Sequence, residues 1–132
     1  MNAEDLGFMP ATELAEMIRT RKISPVEYMT ALLDRIGKVE GKVNAFAHLA
    51  ADRAMDAARR AEADLTSGKR IGRLHGVPVT IKDLAITKDM PTQSGSLIFK
   101  GHQPSEDTPI VTRLQDEGAS RSACPQIGRA HV

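Results

Sequence analysis

The chain has 132 residues, 41% hydrophobic and 27% charged, a size and mix suited to one soluble globular domain or part of one. A formal net charge of +1, with basic residues scattered among acids, offers no footprint for nucleic acid or an anionic membrane surface. A single cysteine, Cys124, excludes an internal disulfide framework and a cysteine-based metal cluster. No run approaches the roughly 18 apolar residues of a membrane helix. The opening MNAEDLGFMPATEL carries acids where a signal peptide would carry positive charge, so the sequence reads as cytoplasmic.

In chain order, Thr12 is expected to cap a short helix with Leu14, Met17 and Ile18 on its inner face. Ser24-Pro25-Val26-Glu27 forms a capping box, and the helix it starts is expected to run to about Lys38. Val26, Met29, Leu33 and Ile36 make its inner stripe, with Gly37 and Gly41 marking its end. Residues 43–49 alternate weakly and suggest a short strand. Residues 51–65 form an alanine-rich helix whose small face (Ala54, Ala57, Ala58, Ala61) should pack closely on a neighbour, and Thr66-Ser67-Gly68 ends it. The apolar, β-branched run at 77–81 predicts a buried strand, with Pro78 confined to its start. Residues 84–106 have no sustained period, and a loop this long in a compact chain is a candidate functional or disordered segment. Asp107 is expected to cap a last helix, with Pro109 in its first turn, Ile110, Val111 and Leu114 inward, and Gly118 at its stop. Helices, then strand, crossover and helix, make an α/β architecture.

Lys82 is the candidate for chemistry. It follows the apolar run and precedes Asp83, at the carboxyl end of the expected strand, where active sites gather in open α/β sheets. Burial there would disfavour the ammonium and make the side chain a base near neutral pH. Alternation sends Lys82 and Asp83 to opposite faces. On the residues alone, a lysine that reaches into solvent is the competing reading. Ser94 and Ser96 read as loop serines bonding their own backbone. His75 reads as a turn histidine, and His48, His102 and His131 do not suggest a metal site.

Gly72-x-Leu74-His75-Gly76-Val77-Pro78-x-x-Ile81-Lys82-Asp83 resembles the segment of the amidase signature family that carries its catalytic lysine. Met90-Pro91-Thr92-x-x-Gly95-Ser96 resembles the following loop, and Glu106-Asp107, Val111, Arg113-Leu114 and Gly118-Ala119 the next helix. Ser24-Pro25-Val26-Glu27 and Val43-Asn44-Ala45-Phe46 resemble the helical lead-in, so the likeness spans about residues 6–119. It implies a helical lead-in followed by the first strand, crossover and helix of a mixed sheet, truncated. It also implies hydrolysis of a carbon–nitrogen amide bond by a Ser–Ser–Lys triad, with Lys82 as general base and then general acid. No cofactor and no metal are implied. Neither Ser94 nor Ser96 matches a catalytic serine of the family, so both serines are expected downstream and the chain by itself is expected to be inactive. The expected partner is a small-molecule amide substrate, with no direct nucleic-acid contact, no membrane, and a homo-oligomer left open for the full-length enzyme. A rival within the family is the A-subunit of a tRNA-dependent amidotransferase; a rival of another class is a non-catalytic α/β binding module.

Residues 1–119 are thus expected to be the N-terminal part of an amidase signature domain, and 120–132 a non-native tail. After Ala119 the family continues with an apolar strand, whereas this chain has no apolar run, which predicts a last helix without a following strand. One back-translation of residues 126–132, CAG ATC GGA AGA GCA CAC GTC, matches the opening of a common sequencing adapter, so the tail reads as a sequencing artefact. Genomic sequence through the codon for Val132 decides the point.

Overall fold

In the computed structural model, which describes residues 3–125, the capping box forms as its motif requires. The Ser24 hydroxyl accepts from the Val26 and Glu27 amides at 3.0 and 3.3 Å, and the Glu27 carboxylate accepts from the Ser24 amide at 3.1 Å. The box opens the third of three helices: α1 (Ala3–Gly7), α2 (Ala11–Arg19) and α3 (Pro25–Val43). Helix α3 outruns the expected stop near Lys38. Gly37 and Gly41 stay helical on its exposed side, because a glycine costs about 1 kcal/mol in a helix and does not by itself end one. Its end is Asn44, in the left-handed region at φ 49°, with its amide on the Glu40 carbonyl at 2.7 Å. Thr12 does not cap α2. The first turn closes earlier, from the Leu14 amide to the Pro10 carbonyl at 3.0 Å, which leaves Thr12 inside the helix.

Burial follows the sequence stripes closely. Leu14, Ile18, Ile23, Tyr28 and Val77 form one core cluster, and Met29 packs with Ala54 and Ala58 in another. The second cluster joins α3 to α4 (Ala51–Thr66), whose small face lets the two helices approach, as expected. Burial of the Tyr28 ring pushes its hydroxyl above the usual tyrosine range, and that hydroxyl donates to the Leu6 carbonyl at 3.1 Å.

The sheet has three strands in the order β1 (Phe46–Leu49), β3 (Ser120–Pro125), β2 (Pro78–Thr80). β3 runs antiparallel to β1 and parallel to β2, so the sheet is mixed. A strand therefore does follow the last helix, against expectation. The Ser-Arg-Ser-Ala-Cys stretch has no run of large apolar residues, yet a central strand is held through its backbone on both edges, and the Ser120 amide reaches the Val77 carbonyl at 2.8 Å. The last helix, α5 (Pro109–Asp116), is preceded by Thr108 at the cap position, not Asp107. Asp107 instead accepts from the Lys88 amide at 2.9 Å, tying the long loop to the helix start. On α5, Val111 is buried and Leu114 half-buried, but Ile110, expected inward, is exposed, because an eight-residue helix commits only its Val111 side to the core; Gly118 follows its end at φ 83°. None of the described helices is long and apolar enough to cross a membrane.

Candidate active site

The lead-in to β2 is laced onto the end of α5. The Arg73 amide donates to the Glu117 carboxylate at 2.8 Å, the Leu74 amide to the Glu117 carbonyl at 3.0 Å, and the Gly76 amide to the Gly118 carbonyl at 3.0 Å. Gly72 lies so close that an added Cβ would sit 2.4 Å from the Glu117 carbonyl oxygen, so only glycine fits. His75 is a turn histidine, as its sequence context suggests, with Nε2 at 2.9 Å from the Ala61 carbonyl of α4. These contacts fix the direction of β2 and of the chain beyond it.

Just past β2 the chain reads Ile81-Lys82-Asp83. Ile81 and Asp83 are buried, and Lys82 between them is exposed. Alternation puts Lys82 and Asp83 on opposite faces, as expected, but it also overturns the expectation of a buried lysine. With Ile81 committed to the core, the residue after it must face outward. The strand itself is shorter and less buried than the 77–81 run suggests: Val77 and Ile81 are buried, while Pro78 and Val79 are half-buried and Thr80 is exposed.

Asp83 has a role that motif reading alone did not assign. Its side chain, 5% exposed, accepts from the Gln93 amide at 2.8 Å through Oδ1 and from the Gly95 amide at 3.2 Å through Oδ2. Its main-chain carbonyl accepts from the Ser94 amide at 3.0 Å. Ser94 and Gly95 both adopt left-handed backbone, at φ 53° and 63°, in the turn that brings the Gln93 and Gly95 amides onto the carboxylate and the Ser94 amide onto the carbonyl.

The rest of the 84–106 loop is held by polar groups and by Met90, buried against Ala50. The Thr87 hydroxyl donates to the Met90 carbonyl at 3.1 Å, the Thr92 amide to the His102 carbonyl at 3.0 Å, and the Gly101 amide to the Gln93 side chain at 3.1 Å. Thr87 and Thr92 are both buried. Ser96 accepts from the Ile98 amide at 3.3 Å and starts a short 3-10 turn, Leu97–Phe99, so it bonds its own backbone as read from the sequence. Through its main chain Ser94 lies beside the strand end that bears Lys82.

A cleft of about 470 Å³ opens between α4, the loop and the start of β3, lined among others by Arg53, Arg60, Lys88, His75 and Gln115. Lys82 is not among its lining residues. Arg53 pairs with Asp89 across it, joining α4 to the loop. Among the described residues no group of His, Cys, Asp and Glu could hold a metal ion. Of Cys124 only the backbone is described, and His131 lies outside the described residues, as does the 126–132 stretch suspected of artefact.

Residues 27–122 match the family model described as Amidase. The chain is 44% identical over 110 residues to the A-subunit of the glutamyl-tRNA(Gln) amidotransferase of Thermobifida fusca, covering 83% of this chain and 22% of that protein. It is 36% identical over 119 residues to a Mycobacterium bovis relative bearing the amidase name AmiD, covering 90% of this chain and 25% of the relative. Among solved structures, a fatty acid amide hydrolase superposes with a TM-score of 0.86 at 25% identity, over 93% of this chain and 22% of that one. The peptide amidase of Stenotrophomonas maltophilia superposes with a TM-score of 0.82 at 26% identity, over 89% of this chain and 24% of the other. The chain thus spans about a quarter of the length of the curated relatives it matches.

Proposed function

This chain belongs to the amidase family, and on that premise we propose that it is the lysine-bearing N-terminal part of an enzyme that hydrolyses a carbon–nitrogen amide bond. The observation that carries the reading is the place of Lys82, on the carboxyl side of β2 within the 72–83 motif, on backbone anchored before and behind it. A serine hydroxyl is a weak nucleophile at its free pKa and needs an aligned base, and Lys82 is that base, acting through a bridging serine. Ser96 is engaged with its own turn and Ser94 takes part only through its main chain, and neither matches a catalytic serine of the family, so both serines of the triad are assigned to the part of the protein that the longer relatives carry. A lysine that faces outward on this piece is open to a bridging serine supplied by that remainder. The substrate is a small amide, and the compartment is the cytoplasm. Residues 1–119 are the native part of this piece; the origin of 120–132 rests on the genomic codons.

A second reading is favoured by the 44% identity to an amidotransferase A-subunit: the same Lys82 chemistry, run inside a tRNA-dependent amidotransferase with partner subunits. Copurification of further subunits with the full-length protein separates it from a stand-alone amidase.

The test is Lys82→Ala in the full-length enzyme. It is expected to lower kcat by about three decades or more with the fold intact, as loss of a triad member does. Lys82→Arg is expected to do no better, because a guanidinium stays protonated and cannot act as a base. Retention of more than about a tenth of kcat/KM, under roughly 1.4 kcal/mol of transition-state stabilisation, would refute the assignment.

A further inference from the structure

We propose that Asp83 is a positioning residue for Lys82, its buried carboxylate clamping the loop at 93–95 onto the strand end from which the lysine projects. The inference rests on the reading of Lys82 as the base. Four backbone constraints meet at this point. The Lys82 carbonyl accepts from the Ala85 amide at 2.8 Å, the Asp83 carbonyl accepts from the Ser94 amide at 3.0 Å, and the two carboxylate oxygens take the Gln93 and Gly95 amides at 2.8 and 3.2 Å. Ile81, on the other side of Lys82, is sunk in the core. The lysine side chain is therefore free in solvent while its Cα is held from both directions.

The chemistry explains why an acid stands there. Two backbone N–H groups converge on one side chain, and a carboxylate presents an acceptor to each at once. Asparagine has the same shape but one acceptor oxygen, and its NH₂ would face a donor. The loop so fixed carries Ser94, whose amide reaches the Asp83 carbonyl, so the clamp fixes the backbone immediately after the base. Positional demands of this kind are steep, since a displacement of about 1 Å can cost about 100-fold in rate.

The experiment pairs two readouts on Asp83→Asn, with Asp83→Glu as the conservative rescue. In the full-length protein, amide hydrogen exchange at Gln93 and Gly95 is expected to accelerate about tenfold or more in Asp83→Asn, with protection of α3 unchanged. In the full-length enzyme, Asp83→Asn is expected to lower kcat per folded molecule about 100-fold with KM within about threefold, and Asp83→Glu to recover part of the loss. Unchanged exchange at Gln93 and Gly95 would overturn the clamp. Faster exchange with kcat within about threefold of the parent would overturn the positioning role, because the clamp would then be merely structural. Activity surviving Lys82→Ala would instead sink the underlying reading of the base, and the exchange result would stand apart from it.

Discussion

The helical first half and the loop after β2 are built on opposite plans. In the first half apolar side chains are hidden: Ile18, Met29, Ala54 and Ala58 are fully buried, and shape holds the helices together. In the loop the buried groups include the polar Asp83, Thr87 and Thr92 beside a single large apolar anchor, Met90 against Ala50, while Leu97, Ile98 and Phe99 stand 78%, 90% and 50% exposed. Apolar burial supplies stability without direction, whereas hydrogen bonds supply direction with a modest net gain each. The scaffold is therefore the helical half, and the loop is where backbone is aimed.

That contrast can be broken with three substitutions measured by chemical denaturation. Met29→Ala should cost most, about 3 kcal/mol, because it opens a cavity between α3 and α4 that Ala54 and Ala58 cannot fill. Thr87→Val keeps the shape but withdraws the donor to the Met90 carbonyl, and about 1.5 kcal/mol is expected. Ile98→Ser should change stability by no more than about 0.5 kcal/mol, although it removes a larger apolar group than Thr87→Val alters. A larger loss at Ile98 than at Thr87 would mean that the loop is held by apolar contact after all.

The same contrast explains which features were legible in the sequence. The stripes of α2 and α3 and the capping box at Ser24 are local, and they agree with the structure because each pattern is complete within a few residues, whereas Ile110, expected inward on the short α5, faces solvent. The expected stops at Gly37 and Gly41 failed for a related reason: a glycine weakens a helix locally, but neighbours on both sides carried it on to Asn44. Asp107 as a cap failed because a partner nineteen residues away, the Lys88 amide, took its carboxylate. β3 was missed because its pairing is a backbone matter, invisible in the side chains of residues 120–124. The position of Lys82 at a strand end was legible from the β-branched run, but its exposure was decided by Ile81 claiming the core. The Asp83 clamp spans ten to twelve residues and depends on two left-handed φ angles, so no local period announces it.

The strand order β1-β3-β2 also sets a schedule. β1 and β2 do not pair with each other; each waits for β3, the last described strand to be synthesised. As the chain leaves the ribosome, the helices can settle on one another early through near-neighbour contacts, while both outer strands remain single until the middle one arrives. During that interval the backbone at 46–49 and at 78–80 lacks its strand partner and is open to any other strand in reach, which makes the nascent sheet, not the helices, the aggregation-exposed step.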